Sequence, residues 1–287
     1  MLGGHKIAGV VVIFNSHIEV VDNIRTYLSH LDILFAIDNS PESDTALVGE
    51  LRRLPKVSYI AIGKNSGIAH ALNVGAVQAL DQKCEFILTM DDDSRAAPDM
   101  MDQFAQVLNS RTDIARIGII SPNHCYQNYS KELATDVREV GTTISSGSLI
   151  NLQCYQRVGP FLDPLFVDYV DFEYCLRLRK HGYRILRAGQ AILYHKLGDM
   201  VSRNVLGVKV GVTHHSPLRI YYRTRNRLFV ARKYFFKYPG FVLRDLMIFV
   251  NELIKVGLFE SNRKEKFVMM AKGIADFLSG SIGEYRA

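Results

Sequence analysis

The feature that most constrains this chain is an alternation of short apolar, β-branched runs with helical stretches over its first 93 residues. Four runs predict buried strands: IAGVVVIF (7–14), ILFAIDN (33–39), VSYIAIG (57–63) and FILTMDDD (86–93). The segments between them, including residues 18–31 and the Ala-rich stretch after Gly67, have helical spacing. This alternation predicts βαβ units and an α/β fold with an open, mainly parallel central sheet flanked by helices.

Polar residues stand where these predicted strands end. Asp38, Asn65 and the three acids at 91–93 fall at or just after such ends. In open sheets of this kind, ligands bind beyond the carboxyl ends of the strands. These residues are therefore the first candidates for a binding site.

The second half of the chain has a less regular pattern. The segments IGIISPN (from 117) and EVGTTISSGSLINL (139–152) are strand-like, and residues 184–198 contain a further strand that ends at His195. Residues 171–186 predict a helix with Asp171 as a capping acid and Gly182 near its end. Helical stretches at about 241–258 and 263–279 predict a C-terminal helical appendage.

Composition narrows the class of protein. The 287 residues are 48% hydrophobic and 22% charged, which is typical of a globular protein and excludes a disordered chain. No apolar run is long enough for a membrane-spanning helix, and the N-terminus is interpreted as a strand rather than a signal peptide. The four cysteines form no CxxC pair, which favours reduced, buried thiols in a cytoplasmic protein.

The net charge of +6 is unevenly distributed. Residues 1–175 carry 13 Lys and Arg against 22 Asp and Glu, whereas residues 176–287 carry 22 against 7. An acidic part suits a cation, and a basic part suits phosphate, nucleic acid or an acidic membrane surface. A solvated basic face is the simpler alternative.

The acidic segment MDDDS (90–94) is a candidate cation site. Adjacent carboxylates repel one another, and a divalent cation such as Mg²⁺ or Mn²⁺ relieves that repulsion through oxygen ligands. Residues i and i+2 share one face of a strand, so we expect Asp91 and Asp93 to point towards one ligand and Asp92 elsewhere. An exposed acidic turn is the alternative for an isolated DxD.

A second acidic cluster comprises Asp168, Asp171 and Glu173. A carboxylate at a helix N-terminus is stabilised as the anion, which suits a general base, although simple helix capping explains Asp171 equally well. His195 ends a strand. A single histidine is more often structural, but together with acidic residues its imidazole would complete a cation site. Mn²⁺ accepts an imidazole ligand better than Mg²⁺ does.

Two further segments suggest anion binding. The loop KNSGIAHALNVG (64–75) follows a strand and opens a helix, so its amides are suited to a phosphate or a sugar hydroxyl. It lacks both GxGxxG and GxxxxGK[ST], which disfavours an NAD enzyme or a P-loop kinase. The basic, aromatic segment 219–238 is suited to a diphosphate, anionic lipid or nucleic acid, but no nucleic-acid module accompanies it, so a nucleic-acid partner is not expected.

Taken in order, these motifs resemble the family 2 glycosyltransferases with the GT-A fold, and in particular the bacterial rhamnosyltransferase branch. The resemblance spans residues 10 to about 235. It is carried by VVVIFN (10–15), IDNS (37–40), NSGIAHALNVG (65–75), LTMDDDS (88–94), GSLINL (147–152), LFVDYVDFEYCLRLRKHGY (165–183), HKLG (195–198) and HHSPLRIYYRTRN (214–226). It implies a GT-A domain over 1–235, with a nucleotide-binding half to about 115 and an acceptor half from 116, followed by a helical region over 236–287.

The resemblance also implies roles for individual residues. It implies that the nucleotide is bound by Asp38, Asn39, Asn65, Gly67, Asn73, Asp91 and Asp92, and the metal by Asp91, Asp93 and His195. Asp171 matches the catalytic base and Glu173 its supporting acid. Many relatives have an acid directly before the base, where this chain has Val170, so Asp168 is a candidate for shaping the acceptor site. Arg223 and Arg225 are candidates to steady the diphosphate.

The implied reaction is an inverting, metal-dependent sugar transfer that uses Mn²⁺ or Mg²⁺. Asp171 would deprotonate an acceptor hydroxyl as it attacks the anomeric carbon. The donor expected from the resemblance is dTDP-rhamnose, with UDP-sugars as alternatives. The acceptor is a growing surface polysaccharide or a lipid-linked glycan.

Two other functions stay open. An aspartyl-phosphate phosphatase also ends a strand in DxD, but its signature requires Thr or Val where Arg95 stands. A non-catalytic sugar-nucleotide-binding protein would not need the acids and His195 that are present. For the C-terminal helices, packing on the core and peripheral contact with the inner face of the plasma membrane are both compatible with their apolar spacing and scattered lysines.

Overall fold

The computed structural model describes residues 4–126, 135–195, 200–205, 208–213 and 215–286. The chain forms two compact units. The first comprises residues Met1–Asp163 and Val170–Lys196, and the second comprises Pro164–Tyr169 and Leu197–Ala287. The domain boundary expected at residue 235 stays a prediction; helix α7 (Pro217–Tyr234) packs closely against α9 (Arg263–Ser279) within the second unit.

The first unit is built on a single sheet. Its described strands are β1 (Ile7–Ile13), β2 (Ile33–Asp38), β3 (Val57–Ala61), β4 (Phe86–Asp91), β5 (Ser94–Ala96), β6 (Ile117–Tyr126), β7 (Val137–Glu139), β8 (Ser148–Asn151) and β9 (Arg184–His195). Among these nine strands the order is β3-β2-β1-β4-β8-β6-β9-β5, with β7 paired to β9. The first four strands are mutually parallel, whereas β8 is antiparallel to β4 and to β6. The sheet is therefore mixed, with the predicted parallel part at one end.

Helices connect and flank these strands. They are α1 (Val20–Arg25), α2 (Thr45–Arg53), α3 (Ile68–Asp81), α4 (Met100–Asn109), α5 (Leu152–Val158) and α6 (Val170–Lys180). Sequence signals set several of their ends: the Asp44 carboxylate accepts hydrogen bonds from the Ala46 and Leu47 amides at the start of α2, and Asn151 caps α5 in the same way. Apolar side chains of the strands and of α1, α2 and α4 form the main core.

Three segments differ from the sequence prediction. The predicted helix at 18–31 is α1 followed by a short 3₁₀ turn at Leu28–His30. The strand-like segment 139–152 is a strand only at its ends, because Gly147 adopts a φ of 73° and turns the chain before β8. Helix α6 ends at Lys180 and the turn at Gly182, with a φ of 84°, leads into β9.

The second unit is mainly helical. It contains α7, α8 (Pro239–Phe259), α9 and a hairpin of β10 (Met200–Val205) and β11 (Val208–Thr213). The predicted helices at about 241–258 and 263–279 match α8 and α9. Buried ion pairs hold the unit together: Arg227, only 1% exposed, contacts Asp245 and Glu252, and Lys266 contacts Glu260. Within the described residues, no helix combines the length and apolar character needed to cross a bilayer.

The cysteine prediction agrees with the structure. Cys84, Cys154 and Cys175 are buried and Cys125 is half-buried, and all four are free thiols. Burial raises the pKa of Cys154 to about 11 and that of Cys175 to about 12. Such thiols are largely protonated at neutral pH and weakly nucleophilic.

Candidate active site

The parallel strands bring two of the predicted acids to one edge of the sheet. Strand β1 pairs with β2 on one side and with β4 on the other. In this register Ile13 stands beside Asp38 and Val12 stands beside Asp91. The carboxyl ends of β2 and β4 therefore flank the end of β1, as expected for a ligand site in such a sheet.

Asp38 is held as a buried carboxylate among polar groups. It is 2% exposed, and it accepts hydrogen bonds from the Ser40 amide at 3.0 Å and from the Tyr59 hydroxyl at 2.7 Å. Burial alone would raise its pKa, but hydrogen bonds from Ser40, Ser43 and Tyr59 outweigh that cost and lower the pKa of Asp38. The residue is fixed in orientation and charged at neutral pH.

The loops after β2 and β3 contribute further polar residues to the same site. The Asn39 side-chain amide donates to Asn65 Oδ1 at 3.2 Å, and Asn39 Oδ1 accepts from the Ser66 amide at 2.9 Å. Asn65 Oδ1 also accepts from the amide of Gly67, which precedes α3 with a φ of 83°. The structure thus brings Asp38, Asn39, Asn65 and Gly67 together.

Asn73 has a different environment. Its side-chain amide donates to the Phe161 carbonyl at 2.8 Å and to Asp163, and its carbonyl accepts from the Tyr155 hydroxyl and the Phe161 amide. These bonds use both ends of the side chain to tie α3 to the segment after α5. They favour a structural role, and nucleotide binding by Asn73 stays a prediction.

The middle acid of the DDD run turns away from its neighbours. The Asp92 carboxylate accepts hydrogen bonds from the Ser16 hydroxyl and from the Phe14 amide, and its backbone carbonyl accepts from the Asn23 side chain at 2.7 Å. Burial raises the pKa of Asp92, although the Ser16 and Phe14 hydrogen bonds partly offset this effect. Asp92 therefore anchors the acidic turn to the loop between β1 and α1.

A serine turn supports the two outer acids. The Asp91 amide donates to Ser146 Oγ at 3.3 Å, and Ser146 Oγ lies 2.8 Å from Ser94 Oγ, whose hydroxyl contacts Asp93 at 3.4 Å. His124 also contacts the Ser146 carbonyl at 2.8 Å. Ser16, His124 and Ser146 were not predicted as site residues, although each lies within or directly after a segment noted in the sequence: VVVIFN (10–15), IGIISPN (117–123) and EVGTTISSGSLINL (139–152).

His195 belongs to the same edge by its backbone. In the antiparallel pairing of β5 with β9, His195 stands beside Ser94, the residue that follows Asp93 in the chain. The His195 side chain lies outside the described residues, and the described side chains alone form no metal site of three or more His, Cys, Asp and Glu. The donor set at this edge, two carboxylates next to a histidine position, fits a divalent cation that accepts oxygen and imidazole ligands.

The first turn of α6 carries both predicted catalytic acids. The helix begins at Val170, so Asp171 lies inside its first turn rather than capping it, and its Oδ1 accepts from the Phe172 amide at 2.8 Å. Glu173 is fully buried and pairs with Arg177 at 2.9 Å. Arg177 in turn donates to three backbone carbonyls, those of Val158, Gly159 and Pro160. Glu173 thus orients an arginine that holds the chain after α5.

The remaining predicted site residues belong to the second unit. Asp168 accepts from Arg219 at 3.2 and 3.3 Å, and Arg223 pairs with Glu252 and contacts His215. Arg225 is 2% exposed and donates to the Tyr221 hydroxyl and the carbonyls of Pro164 and Gly283. These contacts favour a structural role for Arg225. Diphosphate binding by Arg223 and Arg225 and acceptor binding by Asp168 stay predictions.

A mixed sheet whose parallel strands end in buried polar residues and an acidic DxD turn is typical of the GT-A glycosyltransferases. The chain belongs to glycosyl transferase family 2: the model of that family matches residues 11–162, more than half of the chain. It is also 29% identical to the dTDP-rhamnosyl transferase RfbF of Shigella flexneri over 97% of this chain and 96% of that protein. This chain is accordingly a glycosyltransferase with a rhamnosyltransferase homologue.

Solved structures show the same fold. One is GalNAc-T7 with UDP, GalNAc and Mn²⁺, at a TM-score of 0.60 and 12% identity, covering 83% of this chain and 50% of that chain. The chain thus spans about half the length of GalNAc-T7. Another is residues 1–349 of TarS from S. aureus, at a TM-score of 0.54 and 14% identity, covering 98% of this chain and 93% of that chain. At these identities the likeness concerns the fold.

Proposed function

We propose that this chain is an inverting, metal-dependent transferase that moves L-rhamnose from dTDP-rhamnose to a hydroxyl of a polysaccharide or lipid-linked glycan. The observation that supports the proposal is the position of Asp38 and Asp91 on either side of β1, because this register brings the proposed nucleotide-binding acid close to the acidic turn. Likeness to a dTDP-rhamnosyl transferase over nearly the whole chain supports the donor. The residues Asp38, Asn39, Asn65 and Gly67 would hold the nucleoside, with UDP-sugars as the alternative donors.

In this proposal Asp171 is the general base. It lies in the first turn of α6, where the helix dipole stabilises a carboxylate as its anion. It would accept the proton of the acceptor hydroxyl while that oxygen attacks the anomeric carbon opposite the departing nucleoside diphosphate. One displacement of this kind inverts the anomeric configuration. It forms no covalent bond between the sugar and the chain.

Asp91, Asp93 and His195 would hold a divalent cation, Mn²⁺ or Mg²⁺. When bound, such a cation supplies positive charge that offsets the negative charge on a leaving diphosphate. Asp92 keeps the turn in place through hydrogen bonds from Ser16 and from the Phe14 amide. Mn²⁺ is the ion in the GalNAc-T7 structure, where it accompanies UDP.

Nucleotide binding is the first test. We expect dTDP with MnCl₂ to raise the melting temperature, and dTDP alone to raise it much less, because a ligand that binds only the folded state stabilises it by RT ln(1 + [L]/Kd). Asp93→Ala should remove the metal-dependent shift. The matched control is Asp99→Ala, an exposed acid that follows the same turn. Equal shifts with and without Mn²⁺ would contradict metal dependence, and a larger shift with UDP than with dTDP would reassign the donor.

Turnover is the second test. Asp171→Asn should lower kcat by about 10²-fold or more, the usual contribution of a general base, with the dTDP-induced shift retained. Asp102→Asn is the matched control, because Asp102 also lies in the first turn of a helix but is exposed on α4. Full activity of Asp171→Asn would exclude the base assignment. Phosphate on Asp91 after incubation with a phosphorylated donor would instead support the phosphatase alternative.

The C-terminal helices also offer a membrane contact, and we propose an anionic lipid surface as its occupant. One face of α8 presents an apolar row at helical spacing, in which each side chain is more than half exposed: Leu243, Met247, Val250, Ile254 and Leu258. Arg244 on α8 is exposed, as are Lys264 and Glu265 in the first turn of α9, whereas Asp245, Glu252 and Glu260 are paired inside the unit. An apolar row among cations favours an anionic bilayer surface over a neutral one.

Vesicle co-sedimentation tests this contact. The protein should sediment with phosphatidylglycerol-containing vesicles more than with pure phosphatidylcholine vesicles, and less so at high salt. Met247→Ser with Ile254→Ser should reduce that binding. Val77→Ser is the matched control, because Val77 is similarly exposed but lies on α3 of the first unit. No preference for anionic vesicles would overturn the contact.

A further inference from the structure

The short segment that precedes α6 has an unusual backbone. Phe166, Asp168 and Tyr169 have φ values of 66°, 57° and 65°, in the left-handed region that side chains with a Cβ seldom adopt. Such a conformation persists only where the surroundings impose it. Tyr169 is bonded directly to Val170, the first residue of α6, and Asp171 follows. The segment is therefore joined directly to the helix that carries the proposed base.

One buried side chain holds this backbone. Asn226, on α7, is fully buried, and its side-chain amide donates to the carbonyls of Leu165, Val167 and Asp168 at 2.7, 2.8 and 3.0 Å. The orientation of the amide is fixed, because its Oδ1 accepts from Arg225 Nε at 3.1 Å while carbonyl oxygens can only accept. A single NH₂ group thus gathers three backbone oxygens of the left-handed segment.

The side chains of the segment are anchored by the same helical unit. The Tyr169 hydroxyl donates to Asp245 at 2.8 Å and accepts from Arg227 Nε at 2.6 Å. The Phe166 ring stacks on Tyr222, with ring centroids 5.0 Å apart. These contacts hold the side chains of the segment, while Asn226 donates to its carbonyls, one of which, that of Leu165, also accepts from the Val167 amide at 2.8 Å.

We infer that Asn226 is a positioning residue for sugar transfer: by fixing the left-handed segment 165–169, it sets the placement of Asp171. The inference rests on the proposed function, in which Asp171 is the base. No other side-chain type of this size offers two N–H donors and one acceptor in this arrangement. A small displacement of a reacting group lowers a rate by about 10²-fold, which is the effect expected here.

Kinetics and hydrogen exchange of two variants test the inference. Asn226→Ala removes both donors, and Asn226→Ser keeps one. In Asn226→Ala we expect kcat to fall by about 10²-fold with the KM for the donor unchanged. The kcat of Asn226→Ser should lie between those of the wild type and of Asn226→Ala. Backbone amides of 165–171 should exchange at least tenfold faster in Asn226→Ala. The control is Asn151→Ala, which removes another buried asparagine but caps α5, and should lower the melting temperature with kcat retained.

The outcomes separate this inference from the proposed function. Unchanged exchange in 165–171, or normal kcat in a folded Asn226→Ala, would overturn the inference while leaving the transferase assignment intact. If both variants fail to fold, Asn226 serves the fold alone and the inference is likewise overturned. If the wild-type protein transfers no sugar, the proposed function fails, and the exchange data still decide whether Asn226 holds the segment.

Discussion

Glu173 shows how burial changes the interpretation of a predicted site residue. As an acid two residues after the proposed base, it is expected to support catalysis, but its carboxylate is fully buried against Arg177. Arg177 binds three carbonyls of the segment after α5. Glu173 would therefore support catalysis indirectly, by fixing the conformation of that segment through Arg177.

The Glu173–Arg177 pair makes a prediction about stability. Glu173→Ala leaves a buried guanidinium without its counter-ion and should lower the free energy of unfolding by about 3–5 kcal/mol, measured by urea denaturation. The double variant Glu173→Ala with Arg177→Met should lose less, because no buried charge is left unpaired. A double variant that is less stable than Glu173→Ala would contradict the assignment of the cost to the unpaired charge.

His215 makes a prediction about pH. Burial, together with Arg219 and Arg223, lowers the pKa of His215, and its Nε2 lies 3.1 Å from Arg223 Nη1. The unfolded chain therefore takes up this proton first as the pH falls below about 6.5, so the contribution of His215 to stability is present above that pH and lost below it. His215→Gln should flatten the fall in unfolding free energy between pH 7.5 and 5.5. His17→Gln, at an exposed position, is the control; an equal slope in wild type and His215→Gln would count against the prediction.

Single residues were the hardest feature to predict from the sequence. Asp38, Asp91 and Asp171 follow from strand and helix ends, which have local signals. Asn226 carries no such signal, because the carbonyls that it binds are about sixty residues earlier in the chain. Contacts over that separation depend on the packing of α7, which local patterns do not contain.

At the scale of elements, the close packing of α3 on β1 predicts that a Gly-to-Ala substitution, which usually stabilises a helix, destabilises this one. Ala normally stabilises a helix by about 1 kcal/mol relative to Gly. A Cβ at Gly75 of α3, however, would lie 2.5 Å from both methyl groups of Val10, so Gly75→Ala should instead destabilise the protein by about 1–3 kcal/mol. Gly49→Ala in α2 is the matched control, since a Cβ there meets nothing within 4 Å, and it should be neutral or stabilising.

Thermal or urea unfolding of both glycine variants checks this pair of predictions. Adding Val10→Ala to Gly75→Ala should recover part of the loss, because it removes the methyl groups in the way. A Gly75→Ala protein as stable as Gly49→Ala would show that α3 and β1 separate at little cost.

Elements were predicted well where the apolar period is regular. The first four strands, α8 and α9 lie within a few residues of their predicted bounds. The failure at 139–152 has a physical reason: the segment is apolar and β-branched enough for a strand, but Gly147 must turn there. A Cβ at Gly147 would meet Leu193 at 2.8 Å and Pro122 at 2.9 Å, contacts that come from distant parts of the chain.

At the scale of the whole molecule, the two units depend on different cohesive forces. The first has a large apolar core, whereas the second contains the buried cations Arg227 and Lys266, whose acidic partners are Asp245 and Glu252 on α8 and Glu260 at its end. The sequence did indicate a basic C-terminal part. It did not indicate that α7 belongs with the later helices, since the resemblance runs without a break to about residue 235.

Truncation tests this organisation. A chain that ends at Phe235 keeps all of 11–162 and all of α7, but Arg227 loses both Asp245 and Glu252. We expect a lower melting temperature than that of the full chain, as judged by circular dichroism on heating, because α7 loses the packing of α9 and the ion pairs of Arg227. Leu243→Ser with Leu258→Ser in the full chain should keep the wild-type transition. A cooperative transition of residues 1–235 at the wild-type temperature would support the boundary predicted from sequence.

The second unit includes Pro164–Tyr169, a stretch of six residues. The rest of the unit begins only after α6 and β9, at Leu197. This has a consequence for building hybrid enzymes. If only the C-terminal helices of a relative were grafted onto this chain, residues 164–169 of this chain would have to pack against helices from the relative. In a working chimera, residues 164–169 and the helices from 217 onwards should therefore be exchanged together, even though more than forty residues separate them in the chain.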